Sequence, residues 1–505
     1  SRLDFVQRAN ASYIEEQYSR YLRDARSVAE DWALFFAGFE LAGRPGTPTA
    51  SPAGASAPAG APGSEVSLVP NSGLFGLIQH YRVFGHLAAH VDPLSAAPTP
   101  PALLEPRTMG FAGADLDRQV DPRPFWKGEF AGSLRDLTAA LRETYCGSLG
   151  AEYMYIVDEE RRTWLQEHLE SGESGEPGRS RTAFEPAQRT RILRQLLEAD
   201  AFEEFLQARY VGQKRFSLEG AATLIPMLDI LIEQAGTMGV EEIVIGMPHR
   251  GRLNVLANIM RKPLEAIFSE FEAGFAPDDS YGHGDVKYHL GYSCSHETRA
   301  GHTLHLDLRF NPSHLEFVNP VVMGSLHARQ DMAGDRRRER GIPVLIHGDA
   351  AFAGEGIVPE TLMMGQLPAY ATGGTLHVIV NNQIGFTTSP ADVRVSRYPT
   401  DIARAVDAPV FHVNGDDPEA GVRAMRLALA YRAAFKRDVF VDLVCYRRHG
   451  HNELDDPTFT QPVMYRAIAA HTCAARRYAE VLVEDGMPVE YGQPLFLVKP
   501  EQEPL

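Results

Sequence analysis

The chain predicts an α/β fold, a mostly parallel sheet with helices on both faces, preceded by a helical region. Three observations carry this. From about residue 214 short apolar runs alternate with helical patterns, which argues for a parallel sheet covered on both sides. Asp417 followed by Pro418 reads as a helix start, an N-cap carboxylate with proline at the first helical position. Ile346-His347-Gly348-Asp349-Ala350-Ala351 is followed, 33 positions after the aspartate, by Asn382 in Val380-Asn381-Asn382-Gln383-Ile384. A glycine-containing turn, a helical pattern and a second apolar run lie between them, the layout of strand, helix and strand. A right-handed crossover then brings the Asp and the Asn, at the carboxyl ends of neighbouring parallel strands, to one sheet edge.

Residues 1–43 read as helical, with Phe5, Tyr13, Ile14, Tyr18, Trp32, Phe35, Phe36 and Phe39 as the apolar positions. Such a segment is either a packing helix or a docking arm for another protein. Of the 21 residues from Arg44 to Ser64, all but Arg44 are Gly, Ala, Pro, Ser or Thr. That composition cannot repay its ordering entropy, so residues 44–66 are expected to be a mobile linker, which favours the docking arm. Residues 67–213 form the helical region: Leu74–Leu94 ending at Asp92-Pro93, a Pro-rich connector over 96–106, then 132–170 and 186–210, with Trp164 and Leu165 expected to be buried. The α/β domain spans 214–480, with strands at 241–246, 303–308, 343–347, 375–380, 409–413 and 439–445. Its helices are expected at 221–235, 252–270, 355–370 and 418–435, and residues 481–505 form an atypical tail.

At 505 residues there is room for about two to four domains. The apolar share of 44% and charged share of 23% suit a globular protein, and no apolar run is long enough to cross a bilayer. A net charge of −17 argues against sequence-independent nucleic-acid binding. Arg336-Arg337-Arg338 is a local exception, flanked by Asp335 and Glu339, and reads as a solvated loop. Cys146, Cys294, Cys445 and Cys473 are too scattered for a disulfide framework or a zinc pattern, and a reducing compartment fits them. No secretory signal is visible; the chain starts at Ser1, which leaves room for a leader removed earlier.

Two oxygen ligands at a sheet edge can hold Mg²⁺, which usually binds beside phosphates. Asp349 and Asn382 therefore suggest a magnesium-held diphosphate cofactor, although Asp and Asn also favour ordinary turns and caps. The flanking residues narrow the choice. Gly348-Asp349-Ala350 with Asn381-Asn382 is similar to the thiamine-diphosphate fingerprint. Lys214-Arg215-Phe216-Ser217-Leu218-Glu219-Gly220, Gly246-Met247-Pro248-His249-Arg250-Gly251-Arg252, Val286-Lys287-Tyr288-His289, Asn311-Pro312-Ser313-His314-Leu315-Glu316 and Arg447-Arg448-His449-Gly450-His451-Asn452-Glu453 follow in order. Together they resemble the decarboxylating first component of the 2-oxoglutarate dehydrogenase complex, over most of the chain to about residue 480.

The resemblance implies oxidative decarboxylation of 2-oxoglutarate and succinyl transfer to a lipoyl group of the partner dihydrolipoyl succinyltransferase, in the tricarboxylic acid cycle. It implies a homodimer in the bacterial cytoplasm, and a docking role for the segment that includes Asn10-Ala11-Ser12-Tyr13-Ile14-Glu15-Glu16. Thiamine diphosphate attacks the 2-oxo carbon and takes up electrons as CO₂ leaves. Asp349, Asn382 and the Ile384 carbonyl are the implied magnesium ligands. Ala350 and Ala351 would let the cofactor approach the backbone, and Arg250, Leu315 and His451 would contact it, with His449 a weaker candidate. His249 and His289 match the active-site pair that handles protons near neutral pH. Phe216, His289, Ser293, Ser313 and His314 match substrate-binding positions, and several histidines suit a dicarboxylate. Any one of these histidines alone would more often be structural.

Two departures stand beside this. Relatives carry a second α/β domain that binds the aminopyrimidine ring and supplies its glutamate, and nothing in this chain matches it. The 505-residue chain alone is therefore expected to turn over little. From Glu484 to Val498 the text resembles the closing turn and strand of a biotinyl-type carrier domain, without its lysine-bearing hairpin. The same chemistry on another 2-oxo acid, and a silent complex-docking fragment, are the competing expectations. The sequence contains no Gly-x-x-x-x-Gly-Lys-Ser/Thr motif, which argues against phosphate-loop nucleotide hydrolysis.

Overall fold

The computed structural model describes residues 71–171, 184–272 and 287–484, with isolated residues between 17 and 36. The chain divides into two compact units, Ser1–Glu65 and Val66–Leu505. In the first, the Trp32 and Phe36 rings stack at 5.3 Å, with the Tyr21 ring 5.4 Å from Phe36. The expected linker over 44–66, and the tail beyond Glu484, lie outside the described residues.

The second unit begins with α1 (Asn71–Phe84), which gives way to a 3-10 turn at Gly85–Ala88 before the expected end at Leu94. A β-carbon on Gly85 would stand 2.6 Å from that of Tyr145, so glycine lets the chain turn tightly against the next helix. That helix, α2 (Leu134–Tyr145), starts with a capping box between Ser133 and Asp136. The expected helical stretch over 132–170 is in fact broken. Gly147 and Gly150 interrupt it, and Leu149–Glu152 forms a strand, β1, ahead of α3 (Glu159–Ser171). Leu165 is buried and Trp164 half-buried. Next come α4 (Pro186–Arg209), α5 (Leu224–Thr237) and β2 (Glu242–Gly246).

The expected helix over 252–270 divides into α6 (Arg252–Asn258) and α7 (Leu264–Ser269). Pro263 explains the break, since proline lacks an N–H and disfavours helix in the residue before it. An unexpected strand, β3 (Tyr292–Glu297), precedes β4 (Thr303–Leu308), α8 (Val318–Met332) and β5 (Gly341–Gly348). Then follow α9 (Asp349–Gly354), α10 (Ile357–Gly365), β6 (Leu376–Asn381) and β7 (Val410–Asn414). The chain continues through α11 (Pro418–Phe435), β8 (Val439–Val444), α12 (Pro462–Ala470) and α13 (Ala474–Glu484).

The main sheet has eight strands in the order β1-β7-β8-β6-β5-β2-β4-β3. The six inner strands are parallel, and β1 and β3 close the two edges antiparallel. Every residue of β6, β7 and β8 is buried, as expected for a sheet covered on both faces. Alternate residues go to opposite sides. Ile243 and Ile245 join the large core with Leu228 of α5 and Met425 of α11, while Val244 packs with Val318, Val322 and Leu326 of α8. From β2 the chain moves to β4 on one side; β5 then pairs on the other side of β2 and leads on to β6. The order therefore reverses between β2 and β5. A crevice outside the carboxyl ends at such a reversal is the usual ligand position in open α/β sheets.

Candidate active site

The exits of β2, β4, β5, β6 and β8 meet at that edge. One cavity there is lined by His249, Arg250, Leu315, Asp349, Ala350, Ala351, Asn382, Ile384 and His451, with Phe386 and Arg447. Asp349 opens α9 and is 2% exposed; Asn382 follows β6 and is 6% exposed. Burial, with the charge of Asp442, raises the Asp349 carboxyl to about 7 against the opposing pull of Arg394, whose Nη1 stands 3.7 Å from Oδ2. The Asn382 Oδ1 is buried without a hydrogen-bond partner among the described residues. A buried carboxylate and an unpartnered amide oxygen at adjacent strand ends form a donor set for a hard cation. The floor admits only small groups: a β-carbon on Gly385 would lie 2.6 Å from that of Ala350.

Facing these oxygens is a cationic wall. Arg250 donates from Nη2 to the His451 carbonyl at 2.8 Å and from Nη1 to the Ser217 carbonyl at 3.4 Å. Arg447 donates to the Tyr465 hydroxyl at 2.9 Å and to the Phe386 carbonyl at 2.7 Å. Among the described residues neither guanidinium has a carboxylate within ion-pair distance. Burial, helped by the charge of Arg447, pushes Arg250 down to about 10. Two arginines that donate only to neutral oxygens leave charge available for an anion.

The Phe216 ring packs 4.1 Å from His249, 4.7 Å from Tyr288 and 5.6 Å from His451. Burial holds the His249 imidazole well below its ordinary value, with Arg250 and His451 adding to the effect, so the ring is neutral at neutral pH. His451 is held at about 4 by burial and the nearby Arg250 and Arg447. Phe216 has φ +51°, a left-handed backbone that non-glycine residues rarely adopt. Glu453 stabilises it by accepting hydrogen bonds from the Arg215, Phe216 and Ser217 N–H groups at 2.8, 3.2 and 2.9 Å. The Gly251 N–H donates to the Phe216 carbonyl at 2.9 Å, tying this loop to the His249 turn.

The remaining candidates sit farther out. Tyr288 and His289 have ring centroids 5.2 Å apart, and His289 does not line the cavity. Ser293 is exposed on edge strand β3, and Ser313 and His314 are exposed in the loop that brings Leu315 to the cavity. His449 instead pairs with Glu219 at 2.7 Å. Sequence reasoning assigned no role to Arg447 or Glu453, although both lie in a quoted motif, and none to Arg394 or Phe386. It also overlooked His347, whose Nδ1 meets the Glu316 carboxylate at 2.5 Å and whose Nε2 meets His377 Nδ1 at 3.0 Å, bracing the loop at Leu315 against β5.

A family model described as "Dehydrogenase E1 component" matches residues 194–491, and one described as "2-oxoglutarate dehydrogenase N-terminus" matches residues 4–42. A protein from Cupriavidus necator named "2-oxoglutarate dehydrogenase E1 component" is 44% identical over 501 residues, covering 96% of this chain and 52% of that protein. A protein of the same name from Brucella anthropi is 47% identical over 423 residues, covering 81% of this chain and 42% of that protein. The chain spans about half the length of these curated relatives. Because the first family model covers more than half of its residues, the chain belongs to the dehydrogenase E1 component family.

Proposed function

We propose that this chain is the cofactor-phosphate half of a thiamine-diphosphate enzyme that decarboxylates 2-oxoglutarate and passes the succinyl group to a lipoyl arm of an acyltransferase partner. The observation that carries this is the unpartnered Asn382 Oδ1 beside buried Asp349, facing two arginines across a crevice at the strand-order reversal. Asp349 and Asn382, with the Ile384 carbonyl, would hold Mg²⁺, and Arg250 with His451 would hold the diphosphate. Bound there, thiamine diphosphate supplies the carbon nucleophile and the electron sink for decarboxylation. A neutral His249 can exchange a proton beside the reacting carbon, while the Phe216 ring fixes its plane. His289, Ser293, Ser313 and His314 are proposed donors to the substrate carboxylates, brought closer when substrate binds. The segment at 1–43 is the proposed contact with the acyltransferase, and a homodimer the proposed assembly.

Calorimetry of thiamine diphosphate binding to this chain, with and without Mg²⁺, tests the site. Magnesium-dependent heat that disappears in Asp349→Ala and Asn382→Ala is expected, and equal binding without Mg²⁺ would overturn the ligand assignment. Ferricyanide reduction with 2-oxoglutarate against pyruvate, with the pyrimidine-binding domain supplied, tests the substrate, and a preference for pyruvate would overturn it.

A further inference from the structure

On the far side of β8 from the crevice, a second cluster lies buried where the helical lead-in meets the sheet. His86 comes from the 3-10 turn after α1, Glu152 from the end of β1 and His412 from β7; they are 9%, 5% and 1% exposed. His412 Nε2 stands 3.2 Å from Glu152 Oε2, and His86 Nε2 stands 3.7 Å from Glu152 Oε1. The ligand atoms of all three residues lie within 4.8 Å of one another. Ligands about 2.0–2.1 Å from a tetrahedral zinc are roughly 3.3 Å apart; the His412–Glu152 Oε2 distance of 3.2 Å matches that edge, and His86 stands slightly farther out.

The surroundings are those of a ligand shell. The other nitrogen of each ring is held: His412 Nδ1 by Asp442 Oδ2 at 2.8 Å, His86 Nδ1 by the Tyr398 hydroxyl at 2.9 Å. Fixing Nδ1 so that Nε2 points inward is how metal-ligating histidines are oriented. The Tyr398 ring stacks on His412 at 3.9 Å. Arg404 donates to Glu152 Oε1 at 2.5 Å from a half-exposed side chain; it leaves Oε2 to the metal, and its head can move towards solvent.

We propose that His86, Glu152 and His412 bind a divalent transition metal of the zinc class, at a position distinct from the crevice. Imidazole ligands favour such an ion over magnesium, and three protein ligands leave a fourth position for water. The metal joins the turn after α1, β1 and β7, pinning the helical lead-in to the sheet.

The test is a Co²⁺ titration of the chelator-stripped chain, read by visible absorption. The expected result is one Co²⁺ per chain with the bands of four-coordinate geometry, unaffected by excess Mg²⁺ or by Asp349→Ala. Tyr398→Phe, which removes the hydroxyl contact to His86 and keeps the ring on His412, should weaken binding roughly 10- to 100-fold. His86→Gln and Glu152→Gln should abolish the bands. Absence of the bands in a wild-type chain with native circular dichroism would overturn the proposal. So would bands of full intensity in both ligand variants.

Discussion

Glu453 shows how much a single side chain can organise. Its carboxylate accepts three successive backbone N–H groups and holds Phe216 in its left-handed conformation against His249. Each buried donor left without a partner costs about 1–3 kcal/mol. Glu453→Ala is therefore expected to lower unfolding free energy by at least that amount and to weaken thiamine diphosphate binding, as denaturant titration and calorimetry will show. Glu219 makes a pH-dependent contribution. Burial alone would raise its carboxyl, but the hydrogen bond and charge of His449, with Ser217 and Arg215, outweigh that and hold it at about 2, against an ordinary 4.5. A depressed carboxylate adds stability that is fully present above the unfolded value and is lost as pH falls towards the folded one. Between pH 4.5 and 2 the stability advantage of the wild type over Glu219→Gln should shrink, and a constant gap would contradict this. At this scale the sequence was legible where glycine-flanked motifs leave a strand, as at His249, Asp349 and Asn382. Glu453 was not, because the N–H groups that donate to it lie more than two hundred residues earlier and no local pattern records the pairing.

Elements were legible where local chemistry and burial agree. The Asp417-Pro418 start of α11 is present, with the Asp417 carboxylate accepting from the Ala420 N–H at 2.9 Å. Asp417→Ala should cost about 1 kcal/mol, measurable as a shift in urea midpoint. The inner parallel strands were legible as apolar runs between helical patterns. The two antiparallel edge strands were not. β1 is a four-residue piece among glycines, and β3 carries Ser293, Ser295 and Glu297 on its exposed positions. Both owe their conformation to the neighbour they pair with, which short windows cannot register. Pro263 was visible, and its power to divide α6 from α7 was under-weighted.

Across the whole molecule, the crevice draws on residues from Phe216 to His451, so its occupation should be felt globally. A ligand that binds only the folded state stabilises it by about 2.7 kcal/mol at a hundredfold excess over its dissociation constant. Thiamine diphosphate with Mg²⁺ should raise the thermal midpoint more than either alone. EDTA should reverse the gain, and Asp349→Ala should show none by scanning fluorimetry. The pairing of β1 with β7 carries a different consequence, in the time of manufacture. His412 follows Glu152 by 260 residues. At the ribosome's pace of about 5–20 residues per second, β1 waits on the order of 10–50 s for the strand that completes it. Through that interval the nascent chain presents an unfinished sheet, and a chaperone that covers it would decide the yield.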